Sequence, residues 1–360
     1  MVKKTYEICE IQGDGIGPEI MVATKKVISA IEEVYGLNVK YRAAPCGDSA
    51  KRSKGSAVPE ESIKIFQECD AGLKGPVGES VRDLFLAFRE RFKLYVNIRP
   101  AISYHSICPP ALRPDINLAV IRENSEGIYR AMENEVIPGV WTVTGVYTKE
   151  TCDRIARFSF EYAMKRLKSE RGKGIVACAH KANIIRKSHG MFYRAFEEIS
   201  SKYPEIRLEN YYADALCAHL IRRPQEFDVI VSTNLLADLI SDLAGQIAGG
   251  LGMTGGTNIN PERKMGLFEP THGSAPDIAG TGKANPIGMI RSTALMFEFL
   301  GEAYDDDNCL RASIAIEKAI EHMFTKERRE MLPLELGGKL NCEQVGDRLA
   351  NYIRSGVFPS

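Results

Sequence analysis

Residues 11–20 read IQGDGIGPEI, and the reading of this stretch decides between two kinds of α/β protein. A strand-like YEICEI runs into Gly13, Gly15 and Gly17 and then into a helix-like stretch, where a dinucleotide-binding fold puts its phosphate loop. The G-x-G-x-x-G fingerprint requires a third glycine at position 18, and that residue is Pro18. Proline suits the first turn of a helix, and the preceding glycines permit a tight reversal. The stretch is therefore a strand-to-helix turn in the wrong register for the fingerprint, and the main contacts of a nucleotide are to be sought elsewhere.

Outward from this turn, short apolar runs alternate with longer helical patterns. LNVKYRAAP, CDAGLKG, KLYVNIRP, INLAVIREN, GIVACAH, IRLENYYAD and FDVIVST have the length and composition of strands. PEIMVATKKVISAIEEVYG, PEESIKIFQE, SVRDLFLAFRERF and KETCDRIARFSFEYAMKRLKS have helical periodicity. The alternation predicts α/β architecture with a largely parallel sheet. Two domains are expected from 360 residues, and no flexible linker separates them. The chain is expected to be irregular around Pro100, Pro109, Pro110 and Pro114, and GGLGMTGGTNINPER, residues 249–263, is expected to be a break too polar for core. PGVWTVTGVYT, within residues 130–147, predicts a hairpin whose tryptophan needs cover, with a partner subunit one candidate.

The 47 basic and 47 acidic side chains cancel, which removes any general electrostatic case for nucleic acid or an anionic membrane as partner. Nine scattered cysteines without C-x-x-C pairs argue for reduced thiols and against a zinc module or disulfide framework. No signal-peptide core or transmembrane-length apolar run is present, so the cytoplasm is the expected location.

In NLLADLISDLAG, Asp238 and Asp242 lie four residues apart in a helix-favouring run, which puts both carboxylates on one face. Hard oxygen ligands so placed suit Mg²⁺ or Mn²⁺, though the spacing is equally that of a solvated surface. The pair follows the apolar strand FDVIVSTN, at the carboxyl end where open α/β sheets place ligands. Asp214 follows IRLENYYA similarly, as a third ligand or as a helix N-cap. Arg89 ends a helix, while Arg99 and Arg122 end strands. Such guanidinium groups fork onto carboxylates of a di- or tricarboxylic acid, or form surface ion pairs. Lys181, after GIVACA, is suited to proton transfer or to a structural ion pair. The segment 267–286, LFEPTHGSAPDIAGTGKANP, has the composition of a binding loop, and its backbone amides around His272, Gly273, Ser274 and Ala275 could cradle a pyrophosphate.

GDGIGPEI, LYVNIRP, RENSEGIY, HKANI, NLLADLISDLAG and EPTHGSAPDIAGTGKANP occur in this order over essentially the whole chain. Together they resemble the β-decarboxylating dehydrogenases, the isocitrate/isopropylmalate dehydrogenase family, and most of all its isopropylmalate and D-malate/tartrate branches. The resemblance implies an isopropylmalate dehydrogenase-like fold rather than a standard Rossmann fold. Its two α/β domains would be interleaved: residues 1–99 and 250–360 on the cofactor side, and 100–249 carrying the metal site, the dimer contact and a hairpin arm at about 130–147. It implies NAD as cofactor, held by Glu269, His272, Gly273, Ser274, Ala275, Asp277, Ile278 and Asn285. Asp277 would accept hydrogen bonds from the ribose and repel a 2′-phosphate. It implies Mg²⁺ or Mn²⁺ on Asp214, Asp238 and Asp242, a hydroxy-acid carboxylate on Arg89, Arg99 and Arg122, and Tyr129 and Lys181 as the catalytic pair. The sites would be shared across a homodimer that lends Lys181 and Asp214, with a tetramer left open.

Within the resemblance, substrate choice is implied to sit just before Arg89. Phe85 and Leu86 offer an apolar wall, unfavourable beside a charged substituent. The expected reaction is NAD-dependent oxidative decarboxylation of a malate-type 2-hydroxy acid, with 3-isopropylmalate first, D-malate or tartrate second, and homoisocitrate or isocitrate after them. A non-catalytic regulatory subunit is the alternative outside enzymes.

Overall fold

Residues 5–107 and 111–356 are described by the structure, a computed structural model. Cys108, Pro109 and Pro110 of the proline-rich segment lie outside them. The chain begins with β1 (Thr5–Ile11), α1 (Gly17–Tyr35), β2 (Asn38–Ala43), α2 (Asp48–Lys54), α3 (Glu60–Glu68) and β3 (Ala71–Lys74). Pro18 stands in the first turn of α1, and Gly36 closes the helix in a left-handed conformation, φ 67°. A short α4 (Val81–Leu84) then widens into a π-helical turn over Phe85–Glu90, where a regular helix was expected.

Next come β4 (Val96–Ile102), β5 (Asn117–Glu123), the hairpin strands β6 (Gly127–Ile137) and β7 (Val140–Val146), and α5 (Lys149–Lys168). They are followed by β8 (Ile175–His180), α6 (Ser188–Ser200), β9 (Arg207–Tyr212), α7 (Ala213–Arg222), β10 (Val229–Ser232) and α8 (Asn234–Ala248). The chain finishes with β11 (Gly255–Asn260), β12 (Met265–Pro270), α9 (Ile287–Tyr304), α10 (Asp307–Lys326) and α11 (Cys342–Ser355). Among the described residues no helix is long and apolar enough to cross a membrane.

Two compact units divide the chain. One holds the residues up to Leu94, Tyr104–Pro114 and the residues from Gly249 onward; the other holds Tyr95–Ser103 and Asp115–Ala248. In the first unit the strands run β2-β1-β3-β12-β11, parallel except that β11 opposes β12. In the second they run β4-β5-β10-β8-β9, parallel except that β4 opposes β5. Helices pack on these strands through apolar side chains, as where Leu216 and Leu220 of α7 join Leu118, Val120, Phe227 and Ile230 in one cluster of the second unit.

One expectation fails here. Gly255–Asn260, inside the segment read as too polar for core, is a strand buried along its whole length. Its polar side chains are satisfied: the Asn258 amide donates to the Leu267 carbonyl at 3.2 Å, and the Asn260 amide to the Lys93 carbonyl at 2.9 Å. Gly255 has no side chain because a Cβ there would stand 2.6 Å from the backbone nitrogen of Ser292.

Candidate functional site

In the second unit, β5, β10, β8 and β9 point the same way, so their carboxyl ends share one edge. Arg122 is the last residue but one of β5, Lys181 follows β8, Asp214 stands in the first turn of the helix after β9, and α8 leaves β10 carrying Asp238 and Asp242. This is the edge at which parallel sheets present ligand-binding groups.

Asp238 is the hub of a charged cluster. Arg122 is paired with its Oδ1, and the Nη1 of Arg99 lies 3.0 Å from the same oxygen. The Tyr129 hydroxyl donates to Oδ2 at 2.6 Å, and the Arg122 guanidinium lies 4.9 Å from the Tyr129 ring centroid. Arg99 also reaches Asp242 at 3.1 Å and the Ser241 hydroxyl at 2.8 Å. Burial raises the Asp242 carboxyl's pKa, Arg99 opposes that shift, and the neighbouring Asp238 charge adds to it. Two carboxylates one helical turn apart are a hard-oxygen donor set that suits a divalent cation.

Lys181 and Asp214 form a separate pair, Nζ to Oδ2 2.9 Å, with the Asp214 side chain 69% exposed. The lysine holds the Asp214 carboxyl below the ordinary carboxylate range. Asp214 makes no N-cap; Tyr212 occupies that position, without a side-chain cap. Among the described residues, no three acidic, histidine or cysteine side chains within the chain gather into a metal-binding group. Asp238 and Asp242 thus form one part of the expected ligand set, and Asp214 stands in another.

In the first unit Arg89 is tied to Glu269, Nη2 to Oε1 2.8 Å, and Lys74 is paired with the other carboxylate oxygen. The Asn258 amide donates to the same carboxylate at 2.7 Å. Burial alone would raise the pKa of Glu269, but Lys74 and Arg89 outweigh it and hold the group well below the usual range. A depressed folded pKa means that the stabilisation is full above the ordinary glutamate value and is lost as pH falls below it. Glu269→Gln is therefore expected to lower stability by about 3–5 kcal/mol at neutral pH and to flatten its decline in acid, measured by urea unfolding at several pH values.

The loop after β12 contains His272, Gly273, Ser274, Ala275, Asp277, Ile278 and Asn285. His272 Nδ1 meets the Gly273 carbonyl at 2.9 Å, while its Nε2 is buried without a hydrogen-bond partner. Burial depresses the His272 pKa, so the neutral ring keeps an acceptor nitrogen for a ligand donor. Such an orphaned acceptor fits a nucleotide in this loop. Ala275 takes a left-handed turn, φ 39°, and the Ile278 amide closes onto its carbonyl at 3.2 Å. Asn285 is oriented by Glu335, which accepts from its amide at 2.9 Å. Phe85 is half-buried and Leu86 exposed on the π-helical turn, with the Arg89 guanidinium 5.5 Å from the Phe85 ring centroid.

The glycine turn of residues 13–17 props this loop. The Ile16 amide donates to the Ser274 carbonyl at 2.9 Å, and a Cβ on Gly15 would stand 1.9 Å from that oxygen. Asp14 holds the turn's far side by accepting from the amides of Asp48, Ser49 and Gly78. Gly15 also has φ 57°. Gly15→Ala must push the Ser274 segment away; if the loop holds NAD as the resemblance implies, a rise in the Kd for NAD of about tenfold or more is expected, measured by cofactor titration.

Several positioning groups escape a reading by motif. Arg99 Nε donates to Asn97 on the same face of β4 at 2.9 Å, and Arg122 Nε to Asn234 at 2.8 Å. Asn97 could have been found from the two-residue strand period, and Asn234 from its place at the start of α8. Lys74 has only its position at the carboxyl end of β3 to mark it.

Comparison with known proteins completes the assignment. The chain is 40% identical over 349 residues to the 3-isopropylmalate/3-methylmalate dehydrogenase of Methanocaldococcus jannaschii, a match covering 97% of this chain and 99% of that protein. It is 37% identical to the 3-isopropylmalate dehydrogenase of Sulfurisphaera tokodaii, covering 97% and 99% respectively. The crystal structure of isocitrate dehydrogenase from Methylococcus capsulatus superimposes with a TM-score of 0.86 at 33% identity, covering 97% of this chain and 99% of that one. With residues 7–349 matching the profile of the isocitrate/isopropylmalate dehydrogenases, the chain belongs to that family.

Proposed function

We propose that this protein is an NAD-dependent, divalent-metal-requiring oxidative decarboxylase of a malate-type 2-hydroxy acid, with 3-isopropylmalate its leading substrate. The observation that carries this reading is the Asp238 hub, where one carboxylate on α8 collects Arg99, Arg122 and the Tyr129 hydroxyl. A hydroxy-acid carboxylate offers those guanidinium groups the forked partner they are built for. Arg89 is assigned to the substrate by resemblance, and its present partner is Glu269.

Bound NAD supplies the hydride acceptor, and bound Mg²⁺ or Mn²⁺, for which Asp214, Asp238 and Asp242 are the ligands, supplies a Lewis acid. The chain's own groups do the rest. Lys181, coupled to Asp214, takes the proton of the C2 hydroxyl, and Tyr129 delivers a proton to C3 after carbon dioxide leaves. Asp277, exposed in the cofactor loop, repels a 2′-phosphate and favours NAD over its phosphorylated form. The arm of β6 and β7 leaves Met132, Val136, Ile137, Val140, Trp141 and Val143 exposed, Trp141 by 65%. A second copy is the cover proposed for it, which would also bring Lys181 and Asp214 of one chain to Asp238 and Asp242 of the other. The free thiols suit a cytoplasmic enzyme.

Phe85 and Leu86 support an apolar γ-substituent. Burying an isopropyl group there is worth about 2 kcal/mol, roughly thirtyfold in kcat/KM over D-malate. Comparing kcat/KM for 3-isopropylmalate, D-malate, tartrate, isocitrate and homoisocitrate tests the assignment. A preference for either tricarboxylate would overturn the apolar wall, and no turnover by the purified chain with any of them would favour a regulatory subunit.

A further inference from the structure

We infer that His180 and His189 are positioning residues that clamp the backbone at Lys181 from both sides, a role that rests on the reading of Lys181 as the proton-transfer group. The β-ladder of β8 ends at His180, paired with Tyr212. The next two amides, those of Lys181 and Ala182, lie beyond the last pair and need other acceptors. Imidazoles provide both: the Lys181 amide donates to His189 Nδ1 at 3.1 Å, and the Ala182 amide to His180 Nδ1 at 3.1 Å.

These contacts fix the chemistry of each ring. A nitrogen that accepts from an amide carries no proton, so each ring must be neutral with its hydrogen on Nε2. For His180 that Nε2 faces the side-chain oxygen of Asn210 on β9, which locks the same tautomer. Both rings are buried, each with 2% exposure. Burial lowers the pKa of His180, and burial with the nearby His180 lowers that of His189 to about 4. Tyr193 and Tyr212 pack against the first ring and Tyr147 against the second, with centroids 5.0, 5.7 and 5.4 Å away.

The Lys181 carbonyl in turn accepts from the amides of Ile184 and Ile185 at 3.1 and 2.8 Å. The backbone of Lys181 is thus held at both its N–H and its C=O. Such fixation sets the origin of a long, otherwise mobile side chain, on which the rate of proton transfer depends steeply. The sequence gives no sign of it, because His180 reads as a strand residue and His189 as part of an amphipathic helix.

Full-length His189→Leu and His189→Asn test the inference, since asparagine returns an acceptor oxygen near the place of Nδ1 and leucine does not. The leucine variant is expected to exchange its Lys181 amide hydrogen at least about tenfold faster. It should also lose about ten- to a hundredfold in kcat with KM for the hydroxy acid within about twofold. The asparagine variant should stay within about threefold of the parent in both measurements. His180→Leu and His180→Asn repeat the comparison at the Ala182 amide. Unchanged Lys181 exchange in His189→Leu, or equal loss of kcat in both His189 variants, overturns the clamp. Should the parent turn over no hydroxy acid while the exchange difference persists, the clamp stands and the decarboxylase reading falls.

Discussion

Asp238→Asn is expected to lower kcat/KM on the order of 10³-fold in the presence of saturating Mn²⁺. Two losses combine in this substitution. The amide gives up a charge in the donor set it shares with Asp242, and it removes the anion on which Arg99 and Arg122 converge. Because Arg122 is almost wholly buried, at 2%, loss of the facing charge also costs stability, about 1–3 kcal/mol. Added hydroxy-acid dianion should recover part of that loss, since it offers the guanidinium groups a new partner. Thermal melts with and without substrate measure the recovery, and a variant that keeps a tenth or more of the parental kcat/KM would remove Asp238 from the mechanism.

The second large effect is expected at Lys181. Lys181→Met should reduce kcat about 10³-fold while leaving the melting temperature nearly unchanged, because the lysine's partner Asp214 is mostly exposed to water. Paired with Asp238→Asn, this variant also tests how the sites are assembled. In a mixture of the two inactive proteins, unfolded and refolded together, a heterodimer with shared sites contains one site with both parental residues. About a quarter of the parental activity should then return, from random pairing and one intact site per mixed dimer. No recovery would place Lys181 and Asp238 in the same chain's site, or outside a common site altogether.

Much of the architecture is legible in the sequence because its signals are local. Apolar runs such as VIVS and IVACAH have no competing interpretation as helices, being short and rich in β-branched or small residues, and both are wholly buried strands. Pro18 excludes the dinucleotide fingerprint on its own. Gly255–Asn260 is opaque for the opposite reason: its amides are satisfied from outside the segment, by the Leu267 carbonyl on the next strand and by the Lys93 carbonyl far back in the chain. The site divides in the same way. Asp238 and Asp242 are visible through helix periodicity, whereas nothing near Arg89 announces that Glu269 and Lys74 form its surroundings. The π-helical turn at Phe85–Glu90 is likewise invisible, since its residues fit a regular helix by periodicity and propensity.

The discontinuous make-up of the first unit bears on the order in which a ribosome can finish the molecule. Strand β3 ends at Lys74, but the neighbour that pairs with it, β12, begins only at Met265. At ordinary elongation speeds that interval lasts roughly ten to forty seconds, during which β3 has an unfilled edge open to stray pairing. The second unit is complete once Ala248 has emerged. The nascent chain is thus expected to carry a finished centre and an unfinished beginning, and to call on chaperones during that wait rather than after release.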